Sequence, residues 1–236
     1  MANNVQNNLA YEHFIQTAYP HMASKEDILV YPAGKRLYGF LKRLGDIVLS
    51  VMALIVLSPL FLIVAAAIKI DSKGPVIFTQ QRVGKNGKLF KMYKFRSMCV
   101  DAEEKLKALT PKQYLEYIKN YKLDHDNRIT RVGNFIRKAS IDELPQLINI
   151  LRGDLSIVGP RPVIKQELEK YGVLKPLFLS IKPGLTGYWQ VNGRSAVTYE
   201  DRIRLELYYV AHCSLWMDVK IMFKTVSVVL SRKGAA

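Results

Sequence analysis

Cysteine is almost missing from this chain: Cys99 and Cys213 are the only two in 236 residues. That excludes a disulfide-built scaffold and a zinc ribbon, and leaves reduced core thiols as the plain reading. Histidine is equally sparse. His13, His21, His125 and His212 are scattered and unsuited to a shared metal site. No Walker A, G-x-G-x-x-G, H-E-x-x-H or Ser-His-Asp pattern occurs, which removes the common nucleotide-fold, zinc-hydrolase and serine-hydrolase signatures. There is no internal repeat and no low-complexity tract. Acidic residues are short too: 20 against 35 basic, a formal net charge of +15. With 49% apolar residues the chain is too hydrophobic for a disordered basic tail. The surplus charge calls for an anionic partner: nucleic acid, a lipid headgroup surface or a phosphorylated substrate.

Charge is wholly absent from Ile47 to Ile68, a run of 22 residues. As a straight helix it spans about 33 Å, enough for a bilayer. It starts too far from Met1 for an ordinary signal peptide. Ser58-Pro59 sits in its middle, where proline removes a backbone donor and predicts a kink. Both flanks are basic, with Lys35, Arg36, Lys42 and Arg43 before and Lys69, Lys73, Arg82 and Lys85 after. The positive-inside rule places both flanks in the cytoplasm, which a straight span cannot satisfy. A helix broken at Ser58-Pro59 that enters and leaves by one face can, and backbone groups freed at the break then need Ser58 or a neighbouring residue as partner. On physics alone the kinked span and the re-entrant hairpin both stand.

The chain divides into an extension at 1–34, the basic flank and membrane unit at 35–73, and a further domain at 74–236. The expected fold class is α+β, mainly helical. Two β-type runs at 75–84 and 88–98 flank the turn Gly84-Lys-Asn-Gly-Lys88 and predict a hairpin. Helical periods cover Asp101–Lys122 (interrupted at Thr110-Pro111), Asp142–Leu151, Pro162–Tyr171, Tyr199–Tyr209 and Trp216–Leu230. The last is apolar enough for either a core helix or an interfacial one.

The densest polar cluster runs from Arg131 to Gln146. Ser140-Ile-Asp-Glu143 fits a capping box, although Pro145 would then cost a bond inside the helix. Alternatively, Asp142 and Glu143 among Arg131, Arg137 and Lys138 suit a divalent metal with a phosphorylated ligand, or an aspartate nucleophile at phosphorus. Arg161, between Pro160 and Pro162, is either a surface turn or a stiffened phosphate donor. Arg194 follows Asn192-Gly193, and Trp189 suits base stacking or plain burial. Lys91-Met-Tyr93-Lys-Phe95-Arg96 is the only stretch that interleaves basic and aromatic residues, so a tethered nucleic-acid binder is a rival, as is a non-catalytic basic scaffold on lipid.

Taken together, Lys42-Arg43 with Asp46, Ser58-Pro59, Phe78-Thr-Gln-Gln-Arg82-Val-Gly84, Tyr93-Lys94-Phe-Arg96-Ser-Met98, Asp142-Glu143, the run Arg152 to Pro162, and Pro183-Gly-Leu-Thr-Gly187 through Arg194 resemble the bacterial sugar transferases, the monotopic phosphoglycosyl transferases. The motifs follow family order from about Lys35 to the end. The resemblance implies transfer of a sugar 1-phosphate from a UDP-sugar to undecaprenyl phosphate with release of UMP. The setting it implies is the cytoplasmic face of the bacterial inner membrane, with a re-entrant helix broken at Ser58 and Pro59 and with Mg²⁺. It casts Asp142 as a nucleophile that forms a phosphosugar-enzyme intermediate and Glu143 as its metal-holding or proton-handling partner. Lys94, Arg96, Arg137, Arg161, Arg194 and Asp218 form the substrate- or phosphate-binding set. Anionic inner-leaflet lipids are implied partners, nucleic acid is not, and a homo-oligomer is left open. Residues 1–34 are unmatched, and Thr110–Lys122 differs from the shortest members. Ser195 and the Trp216-Met-Asp218-Val-Lys220 segment are most similar to the hexose-1-phosphate transferases of surface glycan pathways, which implies UDP-galactose or UDP-glucose.

Overall fold

The computed structural model describes residues 36–110, 113–114, 117, 123, 126–193 and 197–230. The 1–34 extension, Arg194 and most of 111–122 lie outside these.

The uncharged run forms the middle of α1, Arg36–Asp71, a helix of 36 residues, about 54 Å long. The helix continues across Ser58-Pro59 rather than parting into two helices. Proline at 59 leaves the Ile55 carbonyl without its usual donor, and Ser58 Oγ supplies one at 2.8 Å. The helix is long and apolar enough to cross a membrane, yet it rests against the rest of the chain along much of its length. Near its start, Arg43 donates to the Ile150 and Leu151 carbonyls, and buried Asp46 accepts from Ser156 Oγ at 3.1 Å and from Ile157 N at 2.9 Å. Midway, Ala53 and Leu54 pack against Phe90, Met92, Leu147 and Ile150. Further on, Leu60, Phe61, Val64 and Ile68 pack with Phe95 and Ile136. At its end Asp71 accepts from Val132 N at 3.0 Å. The remaining faces carry exposed Leu44, Ile47, Val48, Met52, Ile55, Val56, Leu62 and Ile63.

The hairpin is as expected: β1 (Ile77–Val83) pairs antiparallel with β2 (Leu89–Phe95), Val83 opposite Leu89. Its turn needs positive φ at Asn86 and Gly87, which suits these two residues. Short helix α2 (Ala102–Lys107) leads to α3 (Arg131–Lys138), capped by Thr130 Oγ1, which accepts from Gly133 N. Helix α4 then runs only over Gln146–Arg152. The expected capping box is not formed. Ser140 has φ +56° and makes no side-chain cap, and Ile141–Glu143 is a single 3₁₀ turn. Pro145 is the N-cap of α4, so the helix starts where proline costs nothing.

A second sheet is not legible as strands in the sequence. Three-residue β3 (Ser156–Val158) pairs parallel with β4 (Gly184–Thr186), from segments whose sequence reads as stiff loop. The backbones meet so closely beyond β3 that a Cβ on Gly184 would lie 2.1 Å from Gly159 N. The expected helix at Pro162–Tyr171 is shorter and broken: α5 (Lys165–Leu168), a 3₁₀ stretch Glu169–Leu174 kinked at Gly172 (φ +50°), then α6 (Lys175–Phe178). Helices α7 (Tyr188–Asn192), α8 (Tyr199–His212) and α9 (Leu215–Leu230) complete the chain. Val158, Val163, Tyr171, Phe178, Leu207, Tyr209 and Ile221 form the main core. Helix α9 buries Asp218 and Ile221 and exposes Leu215, Trp216, Phe223 and Val226, an apolar outer face.

Candidate active site

Hairpin, 3₁₀ turn and the Arg161 loop converge on one cleft, lined by Arg82, Met92, Lys94, Glu143, Gln146, Arg161, Pro162, Gly184, Leu185 and Gln190. Strand alternation puts Gln80 and Arg82 on the same face as Met92 and Lys94, because Gln80 sits opposite Met92 in register. The left-handed Ser140 ends α3 and turns the carboxylate pair towards this face. Lys94 Nζ lies 2.6 Å from Glu143 Oε1, the two side chains being 20% and 26% exposed. Arg137 donates through Nε to Ser97 Oγ at 2.8 Å.

The environment separates the two acids. Burial raises the Asp142 pKa above the ordinary carboxylate value and neighbouring Glu143 adds to this, against the opposing pull of Lys94 and Arg137. Burial also acts upwards on Glu143, but Lys94, Arg161 and Arg82 outweigh it and hold this carboxyl below its usual value. Among the described residues no side chain hydrogen-bonds to Asp142. Arg82 is lowered to about 10, by burial first and then by the Arg161 cation, so it remains charged at neutral pH. Two guanidiniums and an ammonium thus share a cleft with the paired Glu143 carboxylate, and the buried Asp142 is the next residue in the chain. That arrangement suits a polyanionic ligand and an oxygen nucleophile.

No group of three or more His, Cys, Asp or Glu capable of holding a metal occurs among the described residues. Asp142 and Glu143 are the two acids at this site, and carboxylate oxygens are the donor type that a hard ion such as Mg²⁺ takes along with substrate phosphates and water.

Lys94, Asp142, Glu143, Arg137 and Arg161 are therefore brought together at or beside the cleft, while Arg194 lies outside the described residues. Two expected ligands go elsewhere. Arg96 lies past the end of β2, beyond the reach of strand alternation. Its Nη2 donates to the Ser72 carbonyl at 2.7 Å and to Ser72 Oγ at 2.9 Å, which ties the end of α1 to the hairpin. Asp218 faces the start of α1. It accepts from Tyr38 at 3.0 Å, Lys42 at 2.8 Å and Tyr209 at 2.6 Å, and so docks the start of α1. Arg82 has no role assigned by sequence reasoning, although its motif is part of the resemblance, and Gln146 and Gln190 give no signal. The hairpin register identifies Arg82, and only tertiary packing brings in the glutamines.

A cationic cleft with a split carboxylate pair, on a domain docked along a membrane-length apolar helix, defines the class. The chain belongs to the bacterial sugar transferase family, whose model matches residues 37–232. It is 50% identical over 204 residues to the undecaprenyl-phosphate galactose phosphotransferase of Salmonella typhimurium, covering 85% of this chain and 43% of the relative. It is 42% identical over 194 residues to the UDP-glucose:undecaprenyl-phosphate glucose-1-phosphate transferase of Escherichia coli, covering 79% and 39%. The exopolysaccharide production protein ExoY of Rhizobium meliloti is 41% identical over 219 residues, 92% of this chain and 95% of that protein. The chain spans less than half the length of the Salmonella and Escherichia relatives.

Proposed function

We propose that this protein transfers a hexose 1-phosphate, galactose or glucose, from a UDP-sugar to undecaprenyl phosphate, with UMP as the second product. The observation that carries this reading is the single cleft in which Glu143 meets Lys94, Arg82 and Arg161 next to the buried Asp142. The named activities of the Salmonella and Escherichia relatives support it.

In the first half-reaction an Asp142 carboxylate oxygen attacks the β-phosphorus of the UDP-sugar. The bond from that phosphorus to the bridging oxygen breaks, and UMP leaves with the oxygen and its electron pair. In the second half-reaction a phosphate oxygen of undecaprenyl phosphate attacks the same phosphorus. The acyl-phosphate bond breaks, Asp142 is restored and the lipid carries the sugar on a diphosphate. Burial keeps the Asp142 carboxylate more basic than a free aspartate, which favours it as nucleophile. Lys94, Arg82 and Arg161 neutralise the diphosphate as charge builds on the leaving UMP. Bound Mg²⁺, held by Asp142 and Glu143, would neutralise phosphate charge further. A covalent relay lets a soluble donor and a lipid acceptor use one small cleft in turn.

The reading places the catalytic domain on the cytoplasmic face of a bacterial inner membrane, with α1 bent at Pro59 and both its ends on one side. Contacts from Asp46 to Ser156 near one end of α1, and from Asp71 to Val132 at the other, reach the same domain and support this. The exposed apolar faces of α1 and α9 and the net charge of +15 support contact with anionic inner-leaflet lipid. The test is UMP release from a panel of UDP-sugars with undecaprenyl phosphate and Mg²⁺. Turnover confined to UDP-galactose or UDP-glucose is expected. Release of UMP with none of the panel overturns the proposal.

A further inference from the structure

Arg161 is held in an unusual way for a cleft arginine. Among the described residues its guanidinium makes no ion pair and no side-chain hydrogen bond. It lies over the Trp189 ring, 5.8 Å from the centroid. Its backbone is fixed separately, between Pro160 and Pro162, with its N–H donating to Glu206 Oε1 at 3.3 Å. Arg202 lies over the same ring, its guanidinium 4.5 Å from the centroid. Arg202 is anchored to Glu167 at 2.8 Å and Glu206 at 3.3 Å, and lies 5.1 Å from the Tyr199 ring, which Lys170 approaches to 4.3 Å. Cations and rings thus alternate from Lys170 through Tyr199, Arg202 and Trp189 to Arg161 at the cleft.

The indole offers a second observation. Trp189 Nε1 is buried with no hydrogen-bond partner among the described residues. A buried tryptophan ordinarily finds a partner for that N–H, so its polar edge does not explain this position. Its ring face does. A carboxylate would hold Arg161 by occupying its fork and cancelling its charge. An aromatic face holds the guanidinium plane and leaves all five N–H donors to an anion. We propose that Trp189 is a positioning residue: its ring orients the Arg161 guanidinium at the cleft and keeps its donors free for a phosphate of the nucleotide substrate. The nucleotide in this role is that of the UDP-sugar transfer proposed above, on which the role rests.

The test uses the full chain in lipid nanodiscs with UMP as probe. Trp189→Leu removes the π face and is expected to weaken UMP binding about 2- to 30-fold, the span of cation–π energies. Trp189→Phe should recover most of that loss. In an Arg161→Gln background, Trp189→Leu should cost no more than about twofold further, since its effect runs through Arg161. A Phe variant as weak as Leu, or a full additive loss in the Arg161→Gln background, overturns the proposal and reduces Trp189 to packing. Should Trp189→Leu fail to fold, emission decides. Trp216, the only other tryptophan, is 67% exposed and is replaced by Phe, so that fluorescence reports Trp189 alone. UMP should then change the emission saturably, and Arg161→Gln should abolish the change even at saturating UMP. An unaltered response without Arg161 overturns the proposal. If UMP does not bind the unaltered protein by equilibrium dialysis, the function proposed above falls, and the stacking role with it.

Discussion

Lys94 Nζ sits 2.6 Å from Glu143 Oε1, joining the hairpin to the 3₁₀ turn that carries Asp142. The same ammonium pulls downwards on both acids: at Asp142 burial outweighs it, while at Glu143 it helps to outweigh burial. Removing this one cation should therefore shift both acids in the same direction, and the sign of its effect is testable.

Protonation silences a carboxylate nucleophile, so adduct formation from UDP-sugar should fall as pH drops through the Asp142 pKa. Burial raises that value, so the acid limb should lie above the range of a free aspartate, about 3.9. Lys94→Met removes an opposing cation and should move the limb further up. A limb that stays put in Lys94→Met, in a pH series of single-turnover UMP release, counts against the assignment. The effect on stability has the opposite sense at Glu143. Its folded pKa is lowered, so the stability it contributes is present above the unfolded value, about 4.3, and is lost as pH falls through the folded one.

Asp142→Asn retains shape but loses the nucleophile, and should abolish turnover while the protein still partitions with membranes. Unaltered protein given UDP-hexose alone should gain a hexose phosphate on the peptide holding Asp142. Absence of any adduct, together with kinetics that require both substrates bound at once, would mean direct transfer with Asp142 as a metal ligand.

Chelation should stop UMP release, and Mg²⁺ should restore it. Full activity in excess chelator would remove the metal from the scheme.

Asn149 is fully buried and bridges the free edge of β2 to α4. It accepts from Tyr93 N at 2.9 Å and donates to the Lys91 carbonyl at 2.8 Å and to Asp154 at 3.2 Å. Asn149→Ala leaves two main-chain groups unpaired and should cost about 2–3 kcal/mol, read as a fall in thermal midpoint. A shift within error would show that water replaces the amide there.

Single cysteines introduced as Lys35→Cys and Lys73→Cys, with Cys99 and Cys213 replaced by Ser, should both be labelled only from the cytoplasmic side. Labelling from opposite sides would establish a span. Pro59→Leu restores the missing backbone donor and should move part of the population to opposite-side labelling.

Local chemistry determined much of this protein from its sequence alone. An uncharged run of 22 residues has to be a long apolar helix, alternation around Asn86-Gly87 has to be a hairpin, and the carbonyl that Pro59 strands needs a partner close by, which Ser58 is. The hairpin and the Tyr199 and Trp216 helices were legible because their periods are local. What depended on distant partners was not. Strands β3 and β4 are three residues each, too short to show a period, and exist only because each completes the other. Ser140 matched a capping box by spacing, but a left-handed backbone at the end of α3 overrode it, and Glu143 lines the cleft while Asp142 beside it is buried. Arg96 and Asp218 are ligands only by the family resemblance, and the docking of α1 onto the domain places them at its two ends as anchors. The residue types that carry chemistry are a property of the chain; which of them share a cleft is decided by contacts between segments far apart in it.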